Sequence, residues 1–270
     1  MSFSEKTLFE VTDANRKAWD QSAPLHKAGA EWEHLKSAFE AGNHTVFDAT
    51  ASGVLNDIGI ADKSCVQICC NNGRELLSLK SMGARRCLGI DQSQAFLDQA
   101  RELNRAAGHD CAFVCADIYA LPEDVPDDFD VGLITIGVLN WMPDLVRFFS
   151  VVSQLLRPGA ELVIYETHPF LEMFDPRAED PFVPSMSYFQ REPLVDSDPI
   201  VYDGNPGGTG SENYWFVHTF ADILNAAIDA GFKFRFMQEY PHSNREVDYA
   251  IYETRDVKIP MCYALVLELA

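Results

Sequence analysis

From Cys65 onward, short apolar runs alternate with segments whose apolar residues recur at helical spacing, and this alternation limits the folds open to the chain more than any other feature. Cys65 to Cys70 reads as a strand, Gly73 to Met82 as a helix ended by Gly83, and Cys87 to Asp91 as a second strand. Ser93 then caps a helix with Phe96, Ala100, Leu103 and Ala107 on one face. Two such units in succession need crossover connections, which imply a parallel sheet. A third strand is predicted at Cys111 to Cys115 and a fourth at Asp130 to Ile136. A helix through Leu145, Phe149, Val152 and Leu156 is stopped by Pro158 and Gly159, before a fifth strand at Ala160 to Glu166. Near the end, a helix around Phe220 to Ala230 precedes strands at Phe232 to Glu239 and Met261 to Leu269.

The flanking segments differ. Residues 1–60 are helical in pattern: Thr12 and Asp13 are placed to cap a helix carrying Ala14, Ala18 and Trp19, and Phe47, Val54, Leu55 and Ile58 recur before Gly59. They are expected to form a helical cap on a single catalytic domain at 61–270. Between about 168 and 217 the pattern breaks into a Pro-, Asp- and aromatic-rich stretch with turn chemistry at 205–210. Loops of that length inside a domain are usually functional or disordered, and its aromatic residues favour a packed lid over a pocket.

Charge narrows the partners. With 41 acidic against 21 basic side chains the net charge is -20, which repels a nucleic-acid backbone or an anionic membrane. No apolar run approaches the roughly 20 residues that span a bilayer, and the charged start does not read as a signal peptide. The seven cysteines lie mostly in strand-like runs, where cysteine acts as a small hydrophobe, and suggest a reducing, cytoplasmic setting. Cys65, Cys69 and Cys70 cluster, but no second pair follows at zinc spacing, so no metal is expected.

The ordered series Cys65-Val-Gln-Ile-Cys-Cys-Asn-Asn-Gly73, Gly89-Ile-Asp91, Cys115-Ala-Asp117, Phe129-Asp130 and Leu156-Arg-Pro-Gly159 resembles that of class I methyltransferases, over about residues 64–167. The resemblance implies an α/β, three-layer, Rossmann-like sheet of seven strands, mostly parallel with the last antiparallel. It also implies S-adenosylmethionine as cofactor, with adenosylhomocysteine as product. The first βα turn of the family reads Gly-x-Gly-x-Gly; here Cys69 and Asn71 replace two glycines and only Gly73 remains, while Gln67 stands where the family has an acid. Such a turn brings backbone and free helix N–H groups to a ligand at the strand ends. The cofactor residues implied are Cys69, Cys70, Asn71, Asn72 and Gly73 in the turn; Asp91 on the ribose hydroxyls, followed by Gln92; Asp117 and Ile118 at the adenine; and Thr135 and Ile136 along the methionine part.

The acceptor is expected to be a small molecule, contacted by Trp19, His26, Asn140, Trp141, Tyr188 and Trp215, whose rings also suit a cationic sulfonium. Transfer is a direct in-line displacement, in which alignment and exclusion of water matter most. For a hydroxyl or thiol acceptor a base is needed; His168, which follows the fifth strand, and His218 are the candidates, with Glu166 orienting one of them or contacting the acceptor. A monomer or homodimer is expected. Two rivals share the fold: an NAD(P)-dependent oxidoreductase using Asp91 on a ribose, and a non-catalytic S-adenosylmethionine-binding protein.

Overall fold

The computed structural model describes residues 6–202, 208–245 and 247–270. Its strands are β1 (Ser64–Ile68), β2 (Arg86–Asp91), β3 (Ala112–Cys115), β4 (Phe129–Ile134), β5 (Leu156–Thr167), β6 (Leu194–Asp196), β7 (Asn213–Trp215), β8 (Phe232–Tyr240) and β9 (Cys262–Leu269). Seven form one sheet in the order β3-β2-β1-β4-β5-β9-β8, and β6 pairs with β7 in a separate ribbon. β1 to β5 are parallel, and β9 runs antiparallel to both β5 and β8. This is the sheet expected from the sequence.

Successive strand residues face opposite sides, so each strand feeds two cores. Val66, Ile68, Leu88 and Ile90 pack with Phe148, Phe149 and Val152 of α6 (Leu145–Leu155) and Ala227 of α7 (Phe220–Asp229). Cys65, Cys87, Val131 and Leu133 face the other way, onto Leu55 of α3 (Ala49–Ile58), Leu76 and Leu77 of α4 (Arg74–Ser81) and Leu103 of α5 (Gln94–Ala106). Three layers result.

The N-terminal reading needs correction. Helix α1 (Leu8–Lys27) starts before Thr12: Thr7 caps it in a reciprocal box with Glu10, leaving Thr12 buried on the inner face. The Thr-x-x-Glu spacing at 7–10 was the available signal. Helix α2 (Ala30–Glu40) went unread, although Trp32 and Phe39 are buried in the second core. Helix α1 packs against α5 and β7, which draws the 168–217 stretch toward the strand ends. Of the turn expected at 205–210, residues 205–207 lie outside the described residues. Among the described residues no helix is long and apolar enough to cross a membrane.

Gly89, inside β2, shows how tightly the first turn is packed. A Cβ there would stand 2.6 Å from Cys70 Sγ and 3.0 Å from the Phe113 ring. Gly89→Ala is therefore expected to destabilise the chain by about 1–3 kcal/mol, as overpacked substitutions do. A urea midpoint equal to the parent's would show that the turn yields freely.

Candidate active site

The cavity opens where the sheet order reverses. The chain builds β1, β2 and β3 outward and then returns to place β4 on the other side of β1, which leaves a crevice beyond the carboxyl ends of these strands. A cavity of about 500 Å³ lies there, lined by residues that include Gln67, Cys69, Asn71, Asp91, Thr135 and Trp141. That volume lies within the range typical of small-molecule sites.

The β1–α4 turn forms its floor. Cys69, Asn71 and Gly73 have φ of 54°, 50° and 75°, so the left-handed backbone recurs at all three positions where the family pattern has glycine. For cysteine this conformation costs about 1–2 kcal/mol, and for asparagine less. The surroundings hold it: Asn71 N–H donates to Asp91 Oδ2 at 2.7 Å, Asn72 N–H to Asn71 Oδ1 at 2.8 Å, and Gly73 N–H to the Cys70 carbonyl at 2.8 Å. Burial raises the thiols of Cys69 and Cys70 well above their ordinary pKa, so both stay protonated. Gly73 faces Ala100 and Phe113, while Asn72 is buried; neither lines the cavity.

Asp91 closes β2. Its Oδ1 accepts from Ser93 N–H at 2.8 Å while Oδ2 holds Asn71, and burial pushes its pKa up to about 6 despite these bonds. Gln67 lies buried in β1, with Nε2 3.3 Å from Thr135 Oγ1 and Oε1 without a hydrogen-bond partner among the described residues. Asp117 and Ile118 line a second, much smaller cavity of about 20 Å³ that shares Cys69, Asp91, Gln92, Trp141 and Met142 with the first. There Asp117 Oδ2 accepts from Thr12 Oγ1 at 2.6 Å, and Oδ1 accepts from Tyr119 N–H at 2.9 Å. A carboxylate has about four acceptor sites, so capacity remains.

The opposite wall is aromatic. Trp19, Trp141 and Trp215 meet edge to face, with ring centroids 5.3 and 5.0 Å apart, and Tyr202 lies beside Trp19. Arg74 stands over the Tyr202 ring and pairs with Glu75 at 2.9 Å. Asn244 and Arg245, from the connection between β8 and β9, complete the wall. The Arg245 guanidinium bonds Glu172 Oε1 at 2.6 Å, and Glu172 Oε2 accepts from Trp215 Nε1 at 3.0 Å. One buried carboxylate thus ties together the stretch after β5, the β7 ribbon and the β8–β9 connection. Of these, Tyr202 is among the aromatic residues that the sequence assigns to a packed lid, whereas Arg74, Asn244, Arg245 and Glu172 were not singled out. For Asn244 and Arg245 the signal was the long break between Tyr240 and Cys262, since extended loops in compact domains often serve sites.

Several expected site residues lie elsewhere, each with another task. His168 is buried: its Nε2 is 2.9 Å from Glu239, its Nδ1 accepts from Phe170 N–H at 3.0 Å, and its ring is parallel to Phe220. His218 Nε2 donates to the Met142 carbonyl at 2.8 Å, and His26 Nε2 to that of Ile200 at 2.7 Å. Burial lowers the pKa of both His168 and His218. Asn140 exchanges two hydrogen bonds with the Phe216 backbone, and Tyr188 Oη accepts from Phe220 N–H at the start of α7. They hold the walls from behind.

Glu166 is likewise structural. It is fully buried and accepts from the N–H groups of Gly137 at 2.5 Å, Thr167 at 2.9 Å and Leu139 at 3.4 Å, which fixes the turn carrying Ile136 and Trp141. Burial pushes its pKa up to about 7, from 4.5. Between those values the folded chain holds a proton that the unfolded chain has lost, so this contribution is present at acid pH and disappears as pH rises through about 7. From pH 5.5 to 8 the loss should be about 2 kcal/mol, visible in urea midpoints and flattened in Glu166→Gln. Equal slopes for the two proteins would contradict this role.

Comparison with known proteins adds sequence and fold relationships. Residues 66–159 match the family model of a methyltransferase domain. A tRNA U34 carboxymethyltransferase of Aliivibrio salmonicida is 30% identical over 107 residues, 39% of this chain and 32% of that protein. The matched stretch therefore spans about a third of the relative's length. Among solved structures, an S-adenosylmethionine-dependent methyltransferase of Mesorhizobium loti superposes with a TM-score of 0.56 at 22% identity, covering 82% of this chain and 98% of that one. One from Clostridium acetobutylicum gives 0.57 at 15% identity, covering 83% and 93%.

Proposed function

We propose, from the premise that residues 66–159 form a methyltransferase domain of the S-adenosylmethionine-dependent class, that this chain transfers a methyl group to a small-molecule acceptor held against Trp19, Trp141 and Trp215. The observation that carries the reading is Gln67, a cavity-lining residue whose buried Oε1 lacks a partner among the described residues. Leaving such a group unpaired costs about 1–3 kcal/mol, and an ammonium group in the cavity would satisfy it. Gln67 would then do with a neutral oxygen what an acid does in the family's usual pattern.

The other residues fit the same ligand. Asp91 would accept from the ribose hydroxyls, Asp117 and Ile118 would meet the adenine, and the left-handed turn at Cys69–Asn71 would bring backbone against the amino-acid end. Thr135 and Ile136 would flank the methionine part. Bound there, S-adenosylmethionine supplies an electrophilic methyl on a positively charged sulfur. The chain's own contribution is orientation and exclusion of water, with indole faces that favour a nearby cation.

A nucleic-acid acceptor, which the curated relative's name carries for that protein, is opposed here by 41 acidic against 21 basic side chains. Methyl-labelled S-adenosylmethionine, offered with a metabolite extract and separately with total tRNA, tests the choice. Label in the low-mass fraction supports a small acceptor, and label in tRNA would overturn it. Gln67→Leu should weaken cofactor binding about tenfold, as loss of one charge-assisted hydrogen bond does.

A further inference from the structure

We propose that the acceptor is a planar aromatic carboxylate, with one carboxylate oxygen seated on the Asn244 side-chain amide and its ring among Trp19, Trp141 and Trp215. This rests on the methyl-transfer reading above and specifies its substrate class.

Asn244 provides the first reason. Its Oδ1 is 3.3 Å from Thr167 Oγ1, which turns the amide, and its Nδ2 is buried with no hydrogen-bond partner among the described residues. The residue lines the cavity, so an oxygen brought by a ligand would satisfy that donor. Gln67 leaves an oxygen unpartnered in the same cavity; the two orphaned atoms want opposite chemistry, a donor at Gln67 and an acceptor at Asn244. One ligand group at Gln67 is the cofactor's ammonium. The acceptor molecule is left to supply the oxygen at Asn244.

The wall's shape gives the second reason. Trp19, Trp141 and Trp215 meet at interplanar angles of 70° and 89°, so the flat face of one ring borders the edge of the next. Ile136, Val138 and Val247 add apolar surface around them. Such a lining suits a flat ring better than a flexible polar chain.

The third reason is protonation chemistry. Among the described residues no histidine lines the cavity. Glu75 pairs with the Arg74 guanidinium, the exposed Glu31 acts on it only through its charge, Asp91 accepts two backbone N–H groups, Cys70 is a buried thiol and Cys69 a half-buried one, and Tyr202 lies against Arg74. A hydroxyl or thiol must lose a proton to attack, and Glu75, Asp91 and Tyr202 are engaged elsewhere. A carboxylate is already ionised at neutral pH. One of its oxygens forms the O–CH3 bond as the S–CH3 bond breaks and the bonding pair goes to sulfur. Carboxylate and sulfonium thus become a neutral methyl ester and a thioether, with no proton released.

Calorimetric titration of the full chain, saturated with adenosylhomocysteine, tests the assignment with 2-naphthoate against naphthalene-2-methanol and 2-naphthylamine. The carboxylate should bind at least about tenfold more tightly than either isostere. Asn244→Ala should raise its Kd about tenfold and Asn244→Asp should abolish binding, while both variants keep the adenosylhomocysteine Kd within about twofold and so report their own folding. With S-adenosylmethionine, the methyl ester should appear by mass spectrometry. Equal binding of the alcohol or the amine, or an unchanged naphthoate Kd in both variants, would overturn the proposal while leaving methyl transfer intact. Failure of the parent chain to bind adenosylhomocysteine would overturn the methyl-transfer reading itself.

Discussion

Asp91→Ala is expected to weaken S-adenosylmethionine binding by about 100-fold, close to 3 kcal/mol, because two charge-assisted hydrogen bonds to a ribose would be lost. The same carboxylate holds the N–H groups of Asn71 and Ser93, so the turn with its left-handed Cys69 and Asn71 loses support as well. Affinity should therefore be read at a temperature where circular dichroism shows the variant folded. Asp91→Asn, which keeps one acceptor oxygen, should fall between parent and alanine variant. A pH effect accompanies this. The folded pKa of Asp91 is about 6, above its ordinary 3.8, because burial disfavours the charge. The ionised form is the better acceptor, so affinity should decline as pH falls through about 6, and that decline should vanish in Asp91→Asn. Unchanged affinity in the alanine variant would remove Asp91 from the site.

Glu172→Ala should produce the largest loss of stability, about 3–5 kcal/mol, as when one member of a buried ion pair is removed. The side chains of Glu172 and Arg245 are 7% and 12% exposed, so the guanidinium would lose this carboxylate while its charge stays largely buried. Trp215 Nε1 would lose its acceptor at the same time. The effect should be sharper than that of a surface pair such as Arg101–Asp98, whose removal is worth about 0–1 kcal/mol. Glu172→Gln keeps an oxygen for Trp215 but not the charge, and should recover only part of the loss. Because Glu172 joins three separate segments behind the aromatic wall, limited proteolysis within residues 168–217 should quicken in the alanine variant. A shift under about 1 kcal/mol would mean that Arg245 finds solvent easily, and the clamp would not hold the wall.

The sheet was legible because each strand is a short apolar run bounded by turn residues, and each crossover helix has a single apolar stripe. Boundaries moved by a residue or a few: β3 begins at Ala112, and β5 extends to Leu156 because the segment after α6 enters the ladder beside Phe129. The turn was legible through its order within the motif series even without two of its glycines, and the φ values at Cys69 and Asn71 show why: asparagine enters the left-handed region readily, and the hydrogen bonds of Asn71, Asn72 and Gly73 hold the turn that carries Cys69. Trp19, Trp141 and Trp215 do line the cavity, since their backbones belong to α1, the turn after β4 and β7, all at the strand ends.

The two histidines expected as bases do not line the cavity, for one reason. Position after a strand places a residue at the right end of the sheet but does not say which way its side chain points. His168 follows β5 yet turns to Glu239 at the β8 side, behind the wall. Asn244 and Arg245 were invisible because they belong to an irregular connection, where no periodicity reports direction. Their role depends on contacts with Thr167 and Glu172, both distant in sequence.

A crystal structure of the chain with adenosylhomocysteine tests the central claim most directly. The ribose hydroxyls should lie within about 3.2 Å of Asp91, as a hydrogen bond requires, and the amino group on Gln67 Oε1, with Trp141 flanking the sulfur side. Adenosylhomocysteine bound away from the ends of β1, β2 and β4, or a nicotinamide nucleotide taking that crevice in its place, would contradict it.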